Sequence, residues 1–232
     1  MKNIISLLVL ICSVAVIIVS CAKKDDSTTA AAGNIAGTGT TASGTITGYD
    51  SLTGVFHTSW NGQEPSGGCV DNSSAISAFS FPSETLSFKR EFYITGTSTF
   101  TQSQITYSDA TCSTMTSYFN ALYKNVTIGS ELTGLTAGSS PAKPTTATKI
   151  SSVEDKYVFM ANTTDTIAYL LTLLSQTVTS GTEKVLVVPS PVTKYGLIAT
   201  TTVSGKTYLF TSTSFSTTDN VTDWSSASSY WK

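Results

Sequence analysis

Few residues in this chain have the types and spacing that could do chemistry: four cysteines, one histidine and two Ser-x-x-Lys quartets. His57 is the single imidazole, so it cannot both help build a metal cluster and serve as a general base. Ser140-Pro141-Ala142-Lys143 falls in a proline loop, and Ser229-Tyr230-Trp231-Lys232 ends the sequence. Neither quartet opens a helix and no Lys-Thr-Gly follows, so the acyl-transfer arrangement is incomplete. Glu154 and Asp155 are neighbours on a strand and project to opposite faces, which defeats paired acid–base work. Lys89-Arg90 is too small for a basic patch, and Ser139-Ser140 lacks the glycine spacing of a phosphate loop. The residues therefore predict no enzyme, no cofactor and no metal.

The cysteines carry the stronger signal. Met1-Lys2-Asn3 is basic, and from Ile4 to Val19 the chain is apolar apart from Ser6, Cys12 and Ser13. Such a run is the pattern of a secretory signal peptide, and it falls just short of the roughly 17–25 residues of a spanning helix. Ile18-Val19-Ser20-Cys21 resembles the lipobox of bacterial lipoprotein precursors. The resemblance implies cleavage before Cys21, a diacylglyceryl group on its thiol, and anchoring to a membrane by fatty chains. Residues 1–20 are then the signal peptide. Residues 21–48, almost wholly Ser, Thr, Ala and Gly after Lys23-Lys24-Asp25-Asp26, read as a flexible tether.

Cys12 leaves with the signal peptide, which leaves Cys69 and Cys112 in an exported domain. A disulfide between them fits the oxidising compartment and would contribute about 4 kcal/mol on the chain-entropy description. The alternative, a Cys-Cys metal site, needs further nitrogen or sulfur ligands.

Residues 49–232 form a single β-rich domain of ordinary size with an aromatic tail. Roughly a third of the chain is Ser plus Thr, charged residues make up only 12%, and Arg90 is the single arginine. That leaves no electrostatic footprint for nucleic acid. Abundant Thr, Val, Tyr and Phe favour strands. Leu86, Phe88, Arg90, Phe92 and Ile94 alternate with Ser87, Lys89, Glu91, Tyr93 and Thr95, a period of two. Further strands are predicted over 54–60, 98–107, 118–123, 126–132, 149–160 and 183–188, and a hairpin over 195–213 turns at Ser204-Gly205. Ile167, Leu170, Leu171 and Leu174 share one helical face, and Asn162-Thr163-Thr164-Asp165 supplies a cap, so one short helix is expected near 165–175. The pattern predicts an antiparallel β-barrel, with a two-sheet β-sandwich second.

Trp60, Cys69, the aromatic strand pair and Tyr107-Ser108-Asp109-Ala110-Thr111-Cys112 resemble small lipocalin-like (calycin-type) bacterial lipoproteins. With the tether, they are also similar to leptospiral and other spirochaetal outer-membrane surface lipoproteins. That resemblance implies anchoring in the outer membrane with display at the cell surface, and a binding module for host extracellular-matrix or plasma proteins, such as complement regulators and plasminogen. The calycin likeness implies an envelope carrier of a small apolar ligand instead; a purely structural envelope lipoprotein is a further alternative. For host capture the tail supplies the candidate contacts: Trp224, Tyr230, Trp231 and Lys232. Kringle modules hold a C-terminal lysine, and Lys232, kept reachable by the serines at 225–229, would be the residue captured.

Overall fold

The computed structural model describes residues 35–60, 63–136, 143–212, 215–224 and 227–232. The expected signal peptide, Cys21, the first part of the expected tether, and Ser140, Pro141 and Ala142 of the first Ser-x-x-Lys quartet lie outside them.

Among the described residues nine strands form one antiparallel sheet: β1 (Val55–Thr58), β2 (Ser87–Ile94), β3 (Phe100–Tyr107), β4 (Met115–Thr133), β5 (Thr146–Ala161), β6 (Lys184–Val187), β7 (Thr193–Val203), β8 (Lys206–Ser212) and β9 (Ala227–Trp231). β1 pairs with β2 on one side and β9 on the other, and β4 pairs with β5. The sheet thereby closes on itself through every strand except β6, giving the expected barrel of eight strands. Closure removes the unpaired edges of an open sheet. β5 changes partner midway: residues 148–153 pair with β7 and residues 156–159 with β6. The exchange falls at Glu154-Asp155.

The barrel core is aromatic and apolar. Each closing strand sends at least one side chain into it: Phe56, Phe92, Phe100, Tyr123, Ile150, Ile198, Leu209 and Tyr230. Phe100 stacks between Phe92 and Tyr123 with both centroid separations at 4.5 Å. Burying each of these large side chains stabilises by about 1.5–3 kcal/mol. Two helices accompany the sheet. α1 (Ser73–Ala78) starts at Asn72, whose side chain accepts from the Ser74 and Ala75 amides. α2 (Thr164–Leu174) is the expected helix, and it packs Leu170 and Leu174 on Phe159 and Ala161. Its capping box closes between Thr163 and Thr166 and does not use the acidic Asp165. A hydroxyl three positions on accepts from the cap's amide as well as a carboxylate would.

Four sequence expectations change. The stretches 118–123 and 126–132 are one strand, because Asn125 takes a left-handed conformation (φ 53°) and lets β4 bulge and continue. The stretch 35–48, expected to be free tether, belongs to the domain: Ile35 and Ile46 are buried, and Asn120 donates a side-chain hydrogen bond to the Ala36 carbonyl. Residues 35–48 run as a strap across the outside of β3 and β4 and then, through Ile46 and Leu52, join the core cluster. α1 was not foreseen. The tail is a barrel strand, β9, whose backbone pairs with β1 and β8.

Candidate binding site inside the barrel

Strand alternation fixes which side chains share the inner face with the core rings. On β2 Arg90 sits between Phe88 and Phe92, and on β3 Gln102 and Gln104 follow Phe100 at steps of two. Arg90 is opposite Gln104, and Phe92 opposite Gln102. Directly opposed residues hold their side chains on one face within about 4.5–5.5 Å at Cβ. Phe119 and Ala121 continue the belt on β4, Tyr157 pairs with Ala121, and Glu154 pairs with Tyr123. Lys194 comes from the start of β7, opposite Ser152.

Arg90, Gln102, Gln104, Phe119, Glu154, Tyr157 and Lys194 are all only partly buried. Side chains that face inward and still touch solvent leave this part of the inner face accessible to water. Within it Lys194 Nζ lies 2.6 Å from Glu154 Oε2, and the Tyr123 hydroxyl donates to Glu154 Oε1 at 3.3 Å. Burial first, and the neighbouring Glu154 charge second, push the Tyr123 and Tyr157 hydroxyls well above the usual phenol range. Both stay protonated donors. The helices reach the same region. Gln104 Nε2 donates to the Tyr169 hydroxyl at 3.4 Å, the Arg90 guanidinium lies 4.7 Å from the Phe79 ring centre, and Phe81 meets Tyr169 edge-on at 6.3 Å. Phe119 stacks on Tyr157 at 5.5 Å. The arrangement holds a cation, amide donors, phenols and flat apolar walls, the mixture expected of a small-molecule site.

The residues singled out from the sequence fall elsewhere. Cys69 and Cys112 are bonded, with Cα atoms 5.9 Å apart, so the disulfide reading holds and the metal alternative does not. Trp224 is 5% exposed in a second cluster on the outside of the barrel with Leu197 and Phe210, and its indole donates to the Pro144 carbonyl at 3.1 Å. Tyr230 is 3% exposed in the inner core. Lys232 is tied down: its ammonium donates to the Thr53 carbonyl at 2.7 Å and the Ser51 carbonyl at 3.3 Å and lies 4.4 Å from the Phe56 ring centre. Burial lowers that ammonium's pKa. The free, reachable lysine expected at 232 is thus corrected: its backbone also exchanges two hydrogen bonds with Thr207. Trp231 remains partly exposed, 5.3 Å from Lys206 Nζ.

His57 has a partner that the sequence did not reveal. Its Nδ1 lies 2.8 Å from Glu91 Oε1, on the outer face, where β1 and β2 place the two residues directly opposite. Tyr93 donates to the other Glu91 oxygen. Among the described residues no serine or cysteine hydrogen-bonds the imidazole, so a nucleophile is missing from this pair. Gly68 presses on the ring: a Cβ there would lie 2.8 Å from Nδ1, and its φ of 71° favours glycine independently. Glu154 and Asp155 do project to opposite faces, Glu154 to Lys194 inside and Asp155 to Lys124 outside.

The belt itself was missed. A single arginine inside an alternating apolar series, with two glutamines at the matching positions of the next strand, is the signal that could have found it. Among the described residues no helix is long and apolar enough to cross a membrane. No protein-family model and no curated protein matches the chain.

Proposed function

We propose that the mature chain is a lipid-tethered, non-enzymatic binding protein of the bacterial outer membrane that takes a small ligand into its barrel. The observation that carries this reading is the set of inward-facing polar and aromatic side chains that keep contact with solvent inside a closed barrel. The calycin resemblance points the same way, but the lining here mixes charge with aromatic rings and does not match a purely apolar ligand. The anchor is Cys21, through its lipobox-like context. Two experiments test the proposal. Cys21→Ser should release the chain from the membrane fraction. Fractions of a small-molecule extract should raise the melting temperature of the full-length chain, since a ligand that binds only the folded state stabilises it by RT ln(1 + [L]/Kd). If no fraction raises it, interior binding is wrong.

A second reading, capture of host matrix or plasma proteins at the cell surface, draws on a different region. β6 pairs only with β5, and Val185 (43% exposed), Val187 (59%) and the nearby Val192 (48%) present apolar surface beside its open edge. Open strand edges and exposed apolar side chains suit protein contacts. Protease treatment of intact cells should cleave the protein if it faces outward; full protection would exclude this reading.

A further inference from the structure

We infer that the belt around Arg90 binds a small organic monoanion carried on a planar ring, with Arg90 as the anion anchor; the inference rests on the interior-binding reading. Among the described residues no carboxylate lies within 4.0 Å of the Arg90 guanidinium, and the guanidinium donates no hydrogen bond. The other inward charges here cancel, because Lys194 and Glu154 pair at 2.6 Å. One uncompensated positive charge is left, facing a space that water reaches. A guanidinium offers five donors in a flat fork that matches a carboxylate or sulfonate two-to-two, and in a partly desolvated setting that pairing is strong. Gln104, directly opposite on β3, and Gln102 beyond it add neutral amide donors to the same face.

The walls select the rest of the ligand. Phe79 lies under the guanidinium at 4.7 Å, Phe119 and Tyr157 stack as a pair, and Tyr169 reaches Gln104 from α2. Flat rings in partial contact with solvent accept another flat ring by offset or edge contact. An inorganic anion would leave those walls unused, a long aliphatic chain would meet the filled core at Phe92 and Phe100, and a dianion would exceed the one available charge.

The test compares two ligands of equal shape, 2-naphthoate and 2-naphthamide, by calorimetric titration of the full-length chain in detergent against a detergent-only reference. Naphthoate should bind at least tenfold more tightly than the amide. Arg90→Gln should erase that difference by weakening naphthoate alone, and Arg90→Lys should keep part of it, since the charge remains without the fork. Melting curves of both variants verify that each is folded. Equal affinities for the two ligands in the parent chain, or a naphthoate preference that survives Arg90→Gln in a folded variant, would overturn the anion anchor and leave interior binding standing. Absence of binding for both ligands would also overturn it, and the extract titration alone would then decide whether interior binding survives.

Discussion

From the end of the barrel closed by Ile46 and Leu52 towards the end covered by the helices, the inner face changes character. The first half is rings and aliphatics with almost no exposure: Phe56, Phe92, Ile94 and Phe100 are each at most 1% exposed. The second half, on the same strands and only a residue or two further along, holds Arg90, Gln102, Gln104, Glu154 and Lys194 in contact with solvent. β2 and β3 pair residue for residue through both halves, so the hydrogen bonds of that pair do not need the polar residues. An apolar side chain at Gln104 would add burial. A fold that tolerates polar groups where apolar ones would stabilise it is using them for something other than stability.

That contrast can be broken at either end. The largest effect is expected in the apolar half: Phe100→Ala removes the middle ring of a three-ring stack and should destabilise by about 5 kcal/mol, read from denaturant unfolding. Removing the bond between Cys69 and Cys112 by double substitution to Ser should cost about 4 kcal/mol on the chain-entropy description, since 43 residues separate them. In the polar half Glu154→Gln leaves Lys194, with 15% of its side chain exposed, without its charged partner. A loss of about 1–2 kcal/mol is expected, partly recovered when Lys194→Met is added. Arg90→Gln should cost less than about 1 kcal/mol, the size of one cation–ring contact. A large loss there would mean that Arg90 is a structural residue and would collapse the comparison.

The smallest effect is a pH dependence outside the barrel. The Lys206 ammonium beside Glu64, with the Tyr208 hydroxyl, holds the Glu64 carboxyl below the usual glutamate range. A folded pKa below the unfolded one contributes stability that is present above the unfolded value and is lost as pH falls through the folded one. Glu64→Gln should therefore flatten part of the stability loss below about pH 4.3, the ordinary glutamate value, without changing stability relative to the parent once the pH lies well below the folded value.

Much of the barrel was legible in the sequence because its strands keep a strict period of two and its hairpin carries Ser204-Gly205 at the turn. α2 was legible through Ile167, Leu170, Leu171 and Leu174 on one face. The strap was not: Ile35 and Ile46 are isolated apolar residues in a Gly- and Thr-rich stretch, and only the tertiary surface they cover gives them meaning. β9 was hidden for a related reason. Ser228 and Ser229 have little strand preference alone, and it is pairing with β1 and β8, together with Tyr230 entering the core, that makes them a strand. Composition read the tail as free, whereas Tyr230 enters the core and Trp224 is buried against the outer face. Arg90 sat in the correct alternation from the start. Its role stayed hidden because period alone assigns a face and cannot say whether that face is filled or open.

If the polar half of the barrel is open to a ligand, water reaches the inner face at Gln104 and not at Ile94. Single cysteines introduced by Gln104→Cys and Ile94→Cys, beside the oxidised Cys69–Cys112 bond, can be exposed to a small water-soluble thiosulfonate under native conditions. Labelling should be rapid at position 104 and, at 94, only as fast as the domain unfolds. Equal protection of both positions in a folded protein would contradict it, because the belt would then be a sealed polar core and no ligand could enter.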